Sequence, residues 1–126
     1  MMIQVLRSKI HHATITDADL HYVGSLTLDE ELIEAAGLFE FEKIQVVNVN
    51  NGERIETYLI RGKRGSCVCC LNGPAARKGA KGDTVIILSY GLVPVAQAST
   101  WYPLVVHPLP GNLVPPEVAR PGGHKP

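Results

Sequence analysis

Lys43 to Val49 and Arg54 to Ile60 are two runs rich in apolar and β-branched residues, joined through Asn50-Asn51-Gly52. Asn-Gly between such runs is the strongest short-range hairpin signal, because both residues accept the positive φ that a tight reversal demands. This is the clearest strand pair in the chain, and it sets the expectation of a mainly β fold. Strand alternation then divides the second run. Arg54, Glu56, Tyr58 and Ile60 share one face, and Ile55, Thr57 and Leu59 share the other. Thr57 and Tyr58 can therefore serve one ligand only from opposite faces or at a bulge.

The other segments read as further short strands. β-Branched and apolar residues from Ile3 to Thr16 predict two short strands around Lys9 to His12, with Ala13-Thr14-Ile15-Thr16 the clearest stretch. Adjacent His11 and His12 point opposite ways on a strand, so one packs and the other is solvated. Asp17-Ala18-Asp19 reads as a turn and Leu20 to Leu28 as an extended run. Thr27-Leu28-Asp29-Glu30 has the capping-box pattern and predicts a short helix over Asp29 to Ala36, ended by Gly37. Gly62 to Gly65 is a basic turn, Ser66 to Leu71 a strand, and Asn72 to Arg77 a turn entering a short helix with Pro74 in its first position. Lys81-Gly82-Asp83 is a turn, Thr84 to Tyr90 an apolar run suited to a strand buried on both faces, and Trp101 to Val106 a last short strand. Seven of the nine prolines lie from Pro103 onward. A single domain is therefore expected over residues 1–107, and an extended or disordered Pro-rich tail over 108–126. Many short strands with little helix fit a small barrel or a sandwich, and the pattern alone leaves both open.

A chain of 126 residues, 45% hydrophobic and 19% charged, holds one core and gains from any association that buries more surface. Its formal net charge is zero, which provides no field for nucleic acid or an acidic membrane. Arg7 and Lys9 interrupt the apolar opening before a signal-peptide core or a membrane span can form, so the expected location is the cytoplasm. Cys67, Cys69 and Cys70 are an odd number within four residues. That fits neither a disulfide framework nor the ligand spacing of a zinc site, so they read as reduced thiols on a buried strand, with no metal expected.

Gly24-Ser25 is first of all a turn dipeptide. It also admits a reaction. A serine hydroxyl can attack the carbonyl of a preceding glycine, whose missing Cβ leaves it approachable, and exchange the amide for an ester. If β-elimination then breaks the ester, Gly24 keeps a free carboxylate and Ser25 becomes dehydroalanine, which hydrolyses to a pyruvoyl group.

Four motifs occur in order: Lys9-Ile10-His11; Ala18-Asp19-Leu20-His21-Tyr22-Val23-Gly24-Ser25; Asn51-Gly52-Glu53-Arg54 with Glu56-Thr57-Tyr58; and Arg64-Gly65-Ser66 with Leu71-Asn72-Gly73. In this combination the chain resembles the pyruvoyl-dependent aspartate 1-decarboxylases of bacteria, from its N-terminus to about Tyr90. The resemblance implies a six-stranded double-psi β-barrel with short helices, assembled as a homotetramer with active sites between subunits. It implies self-cleavage between Gly24 and Ser25 and conversion of L-aspartate to β-alanine and carbon dioxide for pantothenate and coenzyme A synthesis. The cofactor would be the pyruvoyl group formed from Ser25, with no pyridoxal phosphate and no metal, and a maturation factor is a further partner it admits. Decarboxylation leaves electrons on the α-carbon that need a sink. A pyruvoyl ketone joined to the substrate amine as a Schiff base is one.

Carried onto the matching positions, the resemblance makes Ser25 the catalytic pyruvoyl source and Tyr58 the proton donor to the α-carbon, a role suited to a phenol. Gly24, Ser25 and Thr57 belong to processing, where the Thr57 hydroxyl can donate to the Gly24 carbonyl. Lys9, Arg54, Thr57, Asn72, Gly73, Pro74 and Ala75 are the substrate-binding positions. Two cations answer the two carboxylates of aspartate, Arg54 as a two-pronged donor and Lys9 as a mobile point charge, and which takes which is open. Pro74 stands where the family generally has alanine, and it has no amide hydrogen to offer a ligand. Without the resemblance, Arg54 reads as a solvated residue after a hairpin, Tyr58 as a half-buried strand residue, and His21 and Tyr22 as packing groups. Two other functions compete: a self-processing hydrolase that keeps Ser25 as an N-terminal nucleophile, and a non-enzymatic barrel that binds a small anion through Lys9 and Arg54.

Overall fold

The computed structural model describes residues 1–117. Over these residues the fold is mainly β, with eight strands: β1 (Met2–Thr14), β2 (Asp17–Asp19), β3 (Ser25–Asp29), β4 (Lys43–Asn48), β5 (Arg54–Gly62), β6 (Cys69–Asn72), β7 (Thr84–Pro94) and β8 (Leu104–Val106). Helix α1 (Glu30–Ala35), a 3-10 turn (Gly73–Lys78) and the short α2 (Val95–Ala98) complete it. The strands join in one mixed sheet in the order β2-β6-β3-β5-β4-β7-β1-β8. That order cannot lie flat. β1 and β2 stand six places apart, about 29 Å in a flat sheet at about 4.8 Å per strand. Only Ile15 and Thr16 separate them along the chain, a reach of about 10 Å. The sheet therefore curls, and the connection stitches its two ends. Ile15 N donates to Asp83 O at 2.8 Å and Thr16 N to Cys69 O at 2.8 Å.

Inside the curl, Ile10 faces Ile87, Ile87 faces Val46, and Val46 faces Ile55 across four strands. Leu26, Leu28, Leu59, Leu71, Val85 and Val106 complete the same core, all at most 1% exposed. Helix α1 adds Leu32 and Ile33.

The central hairpin forms as its sequence demands. Gly52 takes φ +75°, Asn48 N donates to Glu53 O at 2.8 Å, and the Asn48 and Asn51 side chains cap Asn50 N and Glu53 N. Other expectations change in detail. The first segment is one long strand, with irregular register between Leu6 and Ser8 and between His11 and Ala13 in place of a break. Asp17-Ala18-Asp19 is an edge strand parallel to β6 instead of a turn, because Ala18 packs on the core while both aspartates sit on the other face. The N-cap of α1 is Asp29, which accepts from Glu31 N at 2.8 Å, and not Thr27. The same buried carboxylate accepts from Gly65 N and Cys67 N at 3.1 and 2.7 Å, which pins the loop before β6 and delays that strand until Cys69. Strand β7 runs beyond Tyr90 to Pro94.

Residues 108–117 were expected in an extended tail. They turn back through a Leu109–Leu113 bridge, and the buried Asn112 bonds Thr14 N, Thr14 O and Cys67 O at 2.8, 2.8 and 3.0 Å. The rest of that expectation, 118–126, lies outside the described residues.

Candidate active site

The pairing of β3 with β6 sorts side chains cleanly by face. Ser25 stands opposite Asn72 and Thr27 opposite Cys70, while Leu26 stands opposite Leu71 and Leu28 opposite Cys69. The leucines and Cys69 enter the core, so the other face gathers a serine, a threonine, an asparagine and a thiol. Burial pushes the Cys69 thiol up to about 12. All three cysteines are free, Cys69 buried and Cys67 and Cys70 half-buried.

On the polar face the hydrogen bonds converge on Ser25, which is 0% exposed. Asn72 Nδ2 donates to Ser25 Oγ at 2.9 Å and to Thr27 Oγ1 at 2.7 Å. Ser25 Oγ donates to Val23 O at 3.1 Å. The hydroxyl is thereby held on both sides, against the very chain segment that carries the Gly24 carbonyl. Gly73 follows Asn72 at φ +61°, and a Cβ there would stand 2.8 Å from Gly24 Cα, Gly24 N and Tyr22 O. Only glycine lets the two segments approach so closely. The Pro74 ring lies beside Gly24, its Cδ 3.4 Å from where a Cβ on Gly24 would be.

A cleft of about 420 Å³ opens here, lined by Gly24, Thr57, Tyr58, Pro74, Ala75 and Lys78 together with Ile55 and Glu56. Thr57 and Tyr58 both reach it without a bulge. Strand β3 pairs with β5 only from Leu26 and Leu59 onward, so the first half of β5 presents an open edge to the 3-10 turn. A cleft along an edge receives both faces of a strand. Tyr58 precedes Leu59 as Ser25 precedes Leu26, which puts phenol and hydroxyl on the same face of neighbouring strands.

Lys9 and Arg54 are not brought to this cleft. Arg54 lies on the exposed side of β5, where Nη1 donates to Gln45 Oε1 at 2.6 Å. Lys9 belongs to the row Lys9, Leu88, Gln45, Glu56, three strands away from β5 on the outer side of the sheet. Beside it His11 stacks on His12 with centroids 3.8 Å apart and meets His107 edge-on at 5.4 Å. Burial first, then the neighbouring His12, Lys9 and His107, hold the His11 imidazole below its usual pKa. Its Nδ1 is buried without a hydrogen-bond partner. His11 is half-buried and His12 exposed, but they do not point opposite ways as expected: His12 takes φ +72° at the register irregularity between His11 and Ala13, which breaks strand alternation and lets the two rings stack.

The sequence reading missed two members of the site. Thr27 was expected to cap α1 and instead accepts from Asn72; its spacing of two from Ser25 along a strand was the available signal. Cys70 was grouped with its neighbours as a buried thiol, although alternation separates it from Cys69. Among the described residues no group of three or more His, Cys, Asp or Glu is placed to hold a metal ion, and no helix is long and apolar enough to cross a membrane.

Fold and site together define a small curled-sheet protein that aims a buried serine at its own preceding segment. The family model for aspartate decarboxylase matches residues 1–114, well past Tyr90, where the motifs thin out. The chain is 59% identical over 106 residues to the aspartate 1-decarboxylase of Caldicellulosiruptor saccharolyticus, covering 84% of this chain and 83% of that one. It is 58% identical over 110 residues to the enzyme of that name from Syntrophus aciditrophicus, covering 87% and 95%. With that of Cytophaga hutchinsonii it shares 53% over 112 residues, 89% and 97% of the two chains. The chain belongs to the aspartate decarboxylase family.

Proposed function

We propose that this chain is an aspartate 1-decarboxylase that converts L-aspartate to β-alanine and carbon dioxide, for pantothenate synthesis in the cytoplasm, after cutting itself between Gly24 and Ser25. The observation that carries the reading is the Ser25 hydroxyl, fully buried and fixed between Asn72 Nδ2 and Val23 O, on the residue that directly follows Gly24. The surroundings also fit a pyruvoyl group at position 25. Asn72 remains as a donor to it, and Gly73 leaves room where any side chain would strike Gly24. Once formed, that group supplies the carbonyl into which the electrons of the breaking carbon–carbon bond flow.

The remaining work belongs to side chains. Thr57 lines the same cleft as Gly24 and polarises its carbonyl during scission. Tyr58, on the face of Ser25, returns a proton to the α-carbon. Asn72, Gly73 and Ala75 line the substrate, with Pro74 as a wall that donates nothing. Arg54 and Lys9 bind the two carboxylates. Their place on the outer side of the sheet supports a homotetramer in which a neighbouring copy completes each site.

Mass spectrometry of the denatured protein tests the reading. It is expected to give a small fragment ending at Gly24 and a larger one with a blocked N-terminus. Reduction with borohydride in the presence of aspartate is expected to add the substrate amine to the larger fragment. A larger fragment that begins with an unmodified serine would instead mean a hydrolase, and an uncut chain in active protein would end the proposal.

A further inference from the structure

We propose that Cys70 is a positioning residue for self-cleavage: its S–H group holds the Asn72 amide in the one orientation that presents Nδ2 to Ser25. The inference rests on the scission proposed above. In that step the bond from Ser25 Oγ to the Gly24 carbonyl carbon forms, the amide C–N bond breaks, and the hydroxyl proton ends on the freed Ser25 nitrogen.

A primary amide has an oxygen end and a nitrogen end of nearly equal size, and its partners decide which faces which way. Neither Ser25 nor Thr27 can decide, because a hydroxyl donates or accepts with equal ease. A thiol can. A thiol is weak in both roles, but one whose single hydrogen is directed at the amide oxygen favours that end, and Asn72 Oδ1 is nearer to Cys70 Sγ than its other acceptor, Leu71 O at 3.8 Å. Cys70 Sγ lies 3.2 Å from Asn72 Oδ1, which leaves both hydrogens of Nδ2 for Ser25 Oγ at 2.9 Å and Thr27 Oγ1 at 2.7 Å. With a lone pair of Oγ engaged by Nδ2, the Ser25 proton turns to Val23 O at 3.1 Å. A reversed amide would accept that proton itself and swing the hydroxyl away from the segment it must attack.

The register makes the contact specific. Cys70 stands opposite Thr27 on the polar face of β6, Cys69 points into the core, and Cys67 lies on the loop before the strand. Asn72 is 3% exposed, so water is a poor substitute for a missing donor. Burial, then the nearby Asp17 carboxylate, hold the Cys70 thiol above its ordinary pKa, which keeps the hydrogen on sulfur.

The test follows scission in full-length chain made by cell-free translation, sampled over hours and read by mass spectrometry after denaturation. Cys70→Ser keeps a donor and is expected to cleave within about threefold of the wild-type rate; Cys70→Ala removes it and is expected to cleave about tenfold more slowly. Cys70→Val, which fills the space without donating, is expected to match Cys70→Ala and carries the test if the alanine variant does not fold. Thermal unfolding of each variant separates loss of packing from loss of the donor. Donor-free variants that fold and cleave at the wild-type rate would overturn the proposal, as would a serine variant as slow as alanine. A wild-type chain that stays uncut would overturn the self-cleavage reading itself, a result visible in its own arm of the experiment.

Discussion

Two regions of this molecule are finished to different degrees. On the polar face of β3 and β6, Ser25, Thr27, Cys70 and Asn72 are linked by contacts of 2.7 to 3.2 Å, with Ser25 and Asn72 closed off from solvent. On the outer side of β1, β7, β4 and β5, Lys9 and Arg54 lie three strands apart, Arg54 turned toward Gln45 and His11 Nδ1 buried without a partner. The difference follows from what each would do under the proposed function. Scission joins two groups of one chain, so strand register alone can prepare it. Capture of a free dicarboxylate needs charges gathered around a ligand, and an open sheet face does not gather them. A second copy laid against that face would.

The largest effect is expected at Ser25. Ser25→Ala leaves no hydroxyl to attack Gly24, so the denatured protein is expected to show one uncut mass and no carbon dioxide from aspartate. Gly73→Ala comes next. Its methyl would meet Gly24 Cα, Gly24 N and Tyr22 O at 2.8 Å, at a φ of +61°, and scission is expected to slow about tenfold or more, with strain of about 1–2 kcal/mol visible in thermal unfolding. Gly52→Ala is the control. It carries the same kind of strain at φ +75° but meets nothing within 4 Å, so it should lower stability by a similar amount and leave scission alone.

Much of the finished region was legible in the sequence, and the reasons are local. Gly24-Ser25, Asn72-Gly73 and the Asn51-Gly52 hairpin are short signals whose chemistry travels with the residues. The faces of β5 followed from alternation alone. What was not legible depends on pairing between distant segments. Nothing near Thr27 says that it will meet an asparagine 45 residues away, and the capping-box pattern there was locally sound until Asp29 took the cap. Asp17-Ala18-Asp19 has the composition of a turn, and only an edge position beside β6 makes it a strand. Thr57 and Tyr58 share a cleft because β3 begins too late to cover the start of β5, which no property of either residue reveals.

Arg54→Ala probes the outer side of the sheet. The side chain is exposed, bonded to Gln45 and outside the lining of the Gly24 cleft, so cleavage is expected to reach completion at the wild-type rate. Turnover should suffer in one parameter above all. Loss of a two-pronged carboxylate contact is expected to raise KM for aspartate about tenfold, equivalent to about 1.4 kcal/mol, with a smaller change in kcat. If Arg54→Ala instead blocks scission, the two regions are coupled and do not act separately.

Pro74→Ala has the smallest expected effect and touches the boundary between the regions. Pro74 is the second residue of the 3-10 turn, where its fixed φ limits the unfolded chain, so alanine is expected to reduce stability by about 0.4–1 kcal/mol and the melting temperature by a few degrees. Scission should change by no more than about twofold, because the ring would reach only van der Waals distance even of a Cβ added to Gly24, and Gly73 still sets the approach of the two segments. Residue 74 lines the same cleft as Tyr58, and alanine gives it an amide hydrogen. A fall in KM of the processed variant would therefore mean that the substrate has an acceptor there, which proline leaves unanswered; an unchanged KM would mean that Gly73 and Ala75 supply that wall unaided.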